Sequence, residues 1–304
     1  MPFAKEIKSA MHGHERNVPR RPGIGVVRPK LHEDNPENRE LFSRWVRLHM
    51  RDILSLPENK DLGSPRKVLR YTRVAEHGGE EYFHTIVLDD IRIPATNAFQ
   101  EIPQRLDLEN TRELRNDEEP VLRAGDKKMG SEPMAHSIFK PAVGLFEEMR
   151  NVDLDRAQDM CGSYQDLPVE PGKLEEAKSY KLVTLTIAAR GMASTPSRNI
   201  CMMQASLVSF LGTATQKKLC TSLYSRNAGV QPQGIPKIED GEHGGGEWLA
   251  VILIPDNADE RLMNAGLPGV EGQVDEWSKR VMLEGSLEGV EIKTAVWTGD
   301  IFMS

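Results

Sequence analysis

Two histidines stand where a polar ring is expensive. His49 falls on the apolar stripe of a helical segment, in which Phe42, Trp45, Val46, His49, Ile53 and Leu56 follow at steps of three, one, three, four and three. Its ring is thereby aimed at the core or at a cavity. His84 lies within an apolar strand, on the same face as Tyr82 and Ile86. A ring nitrogen there costs free energy unless it is paired or reaches a polar cavity. Histidine is the side chain most easily poised as acid or base near neutral pH, so both are candidates to move a proton. The competing reading is a core histidine satisfied by a backbone carbonyl.

Other side chains complete a candidate set. Tyr71 and Arg73 share one face of the preceding strand, and a hydroxyl with a guanidinium can hold an enolate or a carboxylate. His49, His84, Tyr71 and Arg73 are therefore the expected catalytic groups. Trp45, one turn before His49, with Tyr82 and Phe83 beside His84, and Arg28 on the first strand, are expected to contact substrate. Asp52, three residues after His49, is counted with the substrate contacts, placed to orient His49 or to face solvent. His77 and His243 occupy Gly-Gly turns, where polar residues are usually solvated, and neither spacing is a metal signature.

The elements that position these residues occur twice. Residues 76–90 and 242–256 match without gaps at an offset of 166, with seven of fifteen positions identical, each a Glu-His-Gly-Gly turn running into a β-branched and aromatic stretch, the signal of a tight hairpin and a buried strand. Two shorter echoes, Arg70 to Arg73 with Leu223 to Arg226 and Phe139 to Val143 with Ile292 to Val296, share an offset of 153. Strands are expected at 23–31, 67–74, 81–89, 138–146, 181–189, 218–226, 246–255 and 290–297. Helices are expected at 37–56, 94–106, 196–211, 256–266 and 274–283. The order is β-α-β-β-α-β, twice. Each half is a four-stranded antiparallel sheet with helices on one face, and two such sheets cover each other as a pseudo-dimeric α+β barrel of ferredoxin-like repeats. The expected organisation is a loose N-terminal arm (1–21), a first repeat (22–150) with a charged insertion near 107–135, a linker (151–178) and a second repeat (179–304).

Where the two copies differ is more informative about function. His84 is opposed by Ala250, and aligning Pro36 with Pro196 places Ser209 against His49 and Ala205 against Trp45. The first half is therefore expected to hold the active cavity.

The 304 residues carry a formal net charge of −7, which gives no basic face for nucleic acid. No apolar run approaches the roughly 18–20 residues of a membrane-spanning helix, and the polar N-terminus lacks the apolar core of a secretory signal. Three cysteines, Cys161, Cys201 and Cys220, fit a reducing, cytoplasmic location without a structural disulfide. The sequence contains no P-loop, dinucleotide fingerprint, nucleophile elbow, His-Glu-x-x-His or paired Cys-x-x-Cys. What remains is an acid–base enzyme without metal or organic cofactor, or a binding protein.

The segment Phe42 to Leu54, with Trp45 one turn before His49, followed by a strand carrying Arg70-Tyr71-Thr72-Arg73, resembles the first helix and second strand of EthD-type proteins. The resemblance covers residues 24–90, and the second half only through the internal repeat. It implies a dimeric α+β barrel, here duplicated in one chain and possibly paired again as a homodimer. It also implies a hydrophobic small-molecule substrate in a cavity between sheet and helices, with no cofactor. Its relatives suggest a lyase or isomerase that cyclises, dehydrates or decarboxylates a polyketide- or terpenoid-like intermediate. The alternatives are a non-catalytic carrier, a cofactor-free oxygenase, or a haem-binding double barrel.

Overall fold

Eight apolar runs pair antiparallel into one closed barrel. A computed structural model describes residues 19–74, 80–126, 134–149, 180–189, 197–217, 219–230, 232, 234–255, 257–283 and 290–303. Most of the expected arm, the expected linker, Cys161 and the first Glu-His-Gly-Gly turn with His77 lie outside these residues.

The strands are β1 (Gly23–Leu31), β2 (Pro65–Val74), β3 (Glu80–Leu88), β4 (Phe139–Glu148), β5 (Tyr180–Ala189), β6 (Cys220–Arg226), β7 (Trp248–Pro255) and β8 (Val290–Met303). Around the barrel they run β1-β3-β2-β8-β5-β7-β6-β4. The first four strands form one half and the last four the other, joined along the β2–β8 and β4–β6 seams. This is a pseudo-dimeric α+β barrel.

The register carries the duplication. Tyr71 pairs with Phe83 as Tyr224 pairs with Leu249, and Val27 pairs with His84 as Leu185 pairs with Ala250. His84 and Ala250 are thus true counterparts. The echo at 139–143 is not. Ile24 pairs with Phe146 and its counterpart Leu182 with Trp297, so β4 and β8 correspond at an offset of 151 (297 − 146), two residues away from the sequence match.

Four helices are long enough to label: α1 (Pro36–Leu54), α2 (Ser197–Thr215), α3 (Ala258–Asn264) and α4 (Val270–Leu283). Asn35 caps α1 by accepting from the Asn38 N–H at 2.8 Å, and Pro36 occupies the first turn, where its missing N–H costs nothing. The stripe read from the sequence packs inward through Phe42, Trp45, Val46 and Ile53.

Two expectations fail in instructive ways. The helix expected over 94–106 is only a 3-10 turn at Ile93–Ala95 and a single α-turn at Asn97–Gln100. Irregular chain that buries Ile102, Leu106 and Leu108 covers the first half instead. In the second half the Glu-His-Gly-Gly stretch does not close a tight hairpin, because β6 ends at Arg226 and β7 begins at Trp248. The intervening chain crosses the barrel mouth, hydrogen-bonds Val143 through Pro236 and Ile238, and places Ile238 in the barrel interior. Gly245 and Gly246 close this excursion where a Cβ would lie 1.7 Å from the Glu239 carbonyl and 2.2 Å from that of Ile187.

Three apolar clusters result. One fills the barrel, around Phe83, Phe146, Tyr224 and Trp297. A second lies between α1 and the outer face of the first half, and a third between the helices of the second half and its sheet.

Candidate functional site

Strand alternation divides the candidate residues between the two sides of the first-half sheet. On β3, Tyr82, His84 and Ile86 face α1, while Phe83 and Val87 face the barrel interior. On β2, Arg70 faces α1 and Tyr71 faces the interior. Trp45, His49, Tyr82 and His84 therefore belong to one region, and Tyr71, Phe83, Arg28 and Arg73 to another. The expectation that Tyr71 and Arg73 steady negative charge while His49 or His84 moves a proton is corrected here, because the sheet stands between them.

The helix side holds an apolar cavity of about 90 Å³. Its walls include Trp45, His49 and Phe42 from α1, His84 and Ile86 from β3, and Phe139 from β4; Gln104, His136 and Ile235 lie towards its more exposed edge. The rings are layered. His49 stacks on Trp45 with centroids 4.5 Å apart and planes 14° apart, and His84 stacks on Phe42 at 6.0 Å and 13°. Phe139 closes against Phe42 at 4.9 Å and Trp45 at 5.1 Å. Arg70 lies over Tyr82 at 5.1 Å and Phe42 at 5.8 Å, and donates to the Ser43 hydroxyl at 2.9 Å.

Three polar atoms in this wall are enclosed and have no hydrogen-bond partner among the described residues: Trp45 Nε1, His49 Nδ1 and His84 Nε2. Such atoms are costly in a finished core and normal in a site awaiting a ligand or water. Both histidines are neutral at pH 7. Burial holds His49 down at about 4, against the Pro103 carbonyl that accepts from its ring and with a further push from His136. Burial also holds His84 well below its ordinary value, helped by the charges of Arg70 and Arg28.

Asp52 does not orient His49. It faces the irregular segment after β3 and receives Arg112 at 3.2 Å, and burial raises its carboxyl in spite of that cation.

On the other side of the sheet, Arg28 and Arg73 share the carboxylate of Glu81 at 3.5 and 2.7 Å. Their guanidinium carbons lie 5.0 and 4.9 Å from the Trp297 ring, and Arg28 also donates to the His243 carbonyl at 3.1 Å. His243, read from the sequence as a solvated turn residue, sits edge-on to Trp297 at 5.8 Å, and burial followed by Arg73 and Arg28 lowers it to about 3. This cluster fastens the excursion across the barrel mouth. Tyr71 and Phe83 pack into the barrel core below it.

In the second half, Met203, Leu207 and Leu211 pack in the core between the helices and the sheet, and Gln204 donates to Thr221 at 2.8 Å. Ser209 is exposed and Ala205 half-buried. The residues that sequence reasoning missed around the cavity are Arg70, Phe139 and His136. Arg70 had a usable signal: it is the cross-strand partner of His84 and shares its face.

No known protein family matches the sequence, and no curated protein does. Among solved structures, the chain is similar to TA0507, assigned as a chlorite dismutase, at 12% identity and a TM-score of 0.40 over 92% of this chain and 94% of that one. It is also similar to FN1347 of Fusobacterium nucleatum, assigned as a monooxygenase, at 7% identity and a TM-score of 0.42 over 94% and 96%. A heme-binding protein of Thermus thermophilus follows at 11% identity and 0.39 over 95% and 96%. Among the described residues, no helix is long and apolar enough to cross a membrane, and no group of three or more His, Cys, Asp or Glu side chains is arranged to hold a metal ion.

Proposed function

We propose that this chain is an acid–base enzyme, a lyase or isomerase, that works on a small hydrophobic molecule in the cavity under α1. One observation carries the proposal: Trp45 Nε1, His49 Nδ1 and His84 Nε2, all enclosed and unpartnered, belong to residues lining one apolar cavity. Trp45 donates to the ligand, His49 Nδ1 accepts because the other ring nitrogen donates to the Pro103 carbonyl, and His84 accepts or donates according to its tautomer. A proton leaving the ligand goes to His49 or His84, and the imidazolium so formed returns it elsewhere on the ligand or to its leaving group. The cavity is well below the 300 Å³ at which drug-sized pockets begin. A polyketide- or terpenoid-like substrate therefore fits only by inserting one end past Gln104 and His136.

A second reading has its own support. An imidazole held near pH 4 is a weak base at neutral pH, which favours a site that binds without reacting. Mass spectrometry of a small-metabolite pool incubated with the purified protein separates the two. An isomerase changes retention at constant mass, a dehydratase removes water, a decarboxylase removes carbon dioxide, and a carrier changes nothing. His49→Ala should abolish the change while keeping the melting temperature within a few degrees.

Haem, which one similar structure is described as binding, does not fit the residues present. The cavity is too small for a porphyrin, and α2 contains no histidine.

A further inference from the structure

Helix α1 carries a second stripe that the cavity does not use. Arg44, Arg47 and Arg51 follow at steps of three and four, away from the buried stripe. The charged segment after β3 lies along this face and is tied to it at several points. Arg112 meets Asp52 at 3.2 Å, Arg51 meets Asp117 at 3.4 Å and Glu118 at 3.6 Å, and Arg123 meets Glu40 at 2.9 Å. Between segment and helix lies a cleft of about 400 Å³, lined by the three arginines, Leu48 and residues 116–120. That volume lies within the range of small-molecule sites.

We propose that this cleft binds a small oxyanion, a carboxylate or a phosphate, held by Arg44 and Arg47. The side chain of Arg44 is only 10% exposed, and its Nη2 donates to Asp126 at 3.2 Å. Its Nε and Nη1 are enclosed and have no hydrogen-bond partner among the described residues. A buried guanidinium with two idle nitrogens is costly, and an oxyanion supplies the acceptors it lacks. The acids nearby do not fill that role. Glu118, with 1% of its side chain exposed, is engaged by both Arg112 and the Arg115 N–H. Asp117 and Glu119 have side chains 70% and 60% exposed, Asp117 on Arg51 and Glu119 on Arg123. Arg47, exposed at the edge of the cleft, adds a second cation for the incoming anion. The cleft is separate from the cavity under α1, and its role does not depend on the chemistry proposed there.

Calorimetric titration of the full chain at constant ionic strength, with sodium phosphate in one arm and sodium succinate in the other, tests the proposal. Saturable binding of either anion is expected, weakened at least fivefold by Arg47→Met and lost in Arg44→Met. Binding of phosphate alone identifies a phosphate-bearing ligand, and binding of succinate alone a carboxylic acid. Binding of neither anion to the native chain overturns the proposal, and so does an affinity unchanged in Arg47→Met. That variant alters an exposed side chain and keeps the test decisive if Arg44→Met fails to fold.

Discussion

His84 and Phe83 are neighbours in the chain, yet their rings belong to different compartments. Phe83 packs in the barrel against Trp297 at 5.0 Å, and His84 stacks on Phe42 beneath α1 at 6.0 Å. One step along β3 therefore separates the barrel core from the candidate site.

Acid should weaken the fold before its carboxylates titrate. His49, His84 and His243 are all held below 6.5 in the folded chain, His49 at about 4 and His243 at about 3. The unfolded chain then binds more protons below pH 6.5, so the contribution is fully present above that pH and is lost as pH falls towards the folded values. Denaturant midpoints should drop between pH 7 and pH 5. Replacing the three histidines with Gln should flatten that slope, and an equally steep slope would show that other groups control it.

Asp52→Asn separates the two faces of α1. Asp52 pairs with Arg112 and not with His49, so the variant should lose some melting temperature through the surface tether. Any turnover should stay within about twofold of the native rate, because no transition-state contact is removed. A large loss of rate at unchanged stability would mean that Asp52 reaches the site.

Glu81→Gln removes the carboxylate that two arginines share. Arg28 and Arg73 are then left facing each other around Trp297, with side chains only 13% and 25% exposed. Stability should fall by about 2 kcal/mol, between the values for an exposed and a buried pair. A second change, Arg73→Met, should restore part of the loss by rebalancing charge, as a double-mutant cycle in urea would measure.

The repeat and the helix stripe were legible because both are periodic. Duplication, strand order and the inward side of α1 follow from spacing alone. The irregular cover of the first half was not legible. Residues 94–106 carry helix-compatible types, and only tertiary burial of Ile102 and Leu106 decides their path. The cavity was half legible. The contrast of His84 with Ala250 located it, but grouping Tyr71 and Arg73 with the histidines ignored the pleat, which sends adjacent residues to opposite faces. The barrel-mouth role of His243 depends on a long excursion that no local pattern announces.

Gly25 offers the sharpest probe of the cavity. It lines the wall opposite α1, and a Cβ there would meet Leu145 at 3.4 Å and Ile86 at 3.8 Å, ordinary contacts that demand no rearrangement. Gly25→Ala should leave the fold intact, or stabilise it by about 0.4–1 kcal/mol through the unfolded chain, while taking a methyl group's space from the ligand. The probe is pyrazole, planar and uncharged, with an adjacent donor and acceptor. Its binding can be followed through the ring resonances of 15N-labelled histidine. We expect pyrazole to shift the His49 and His84 signals in the native chain and to bind at least tenfold more weakly to Gly25→Ala. Equal affinity in the two proteins, or binding that leaves both histidines undisturbed, would contradict the placement of the site beneath α1.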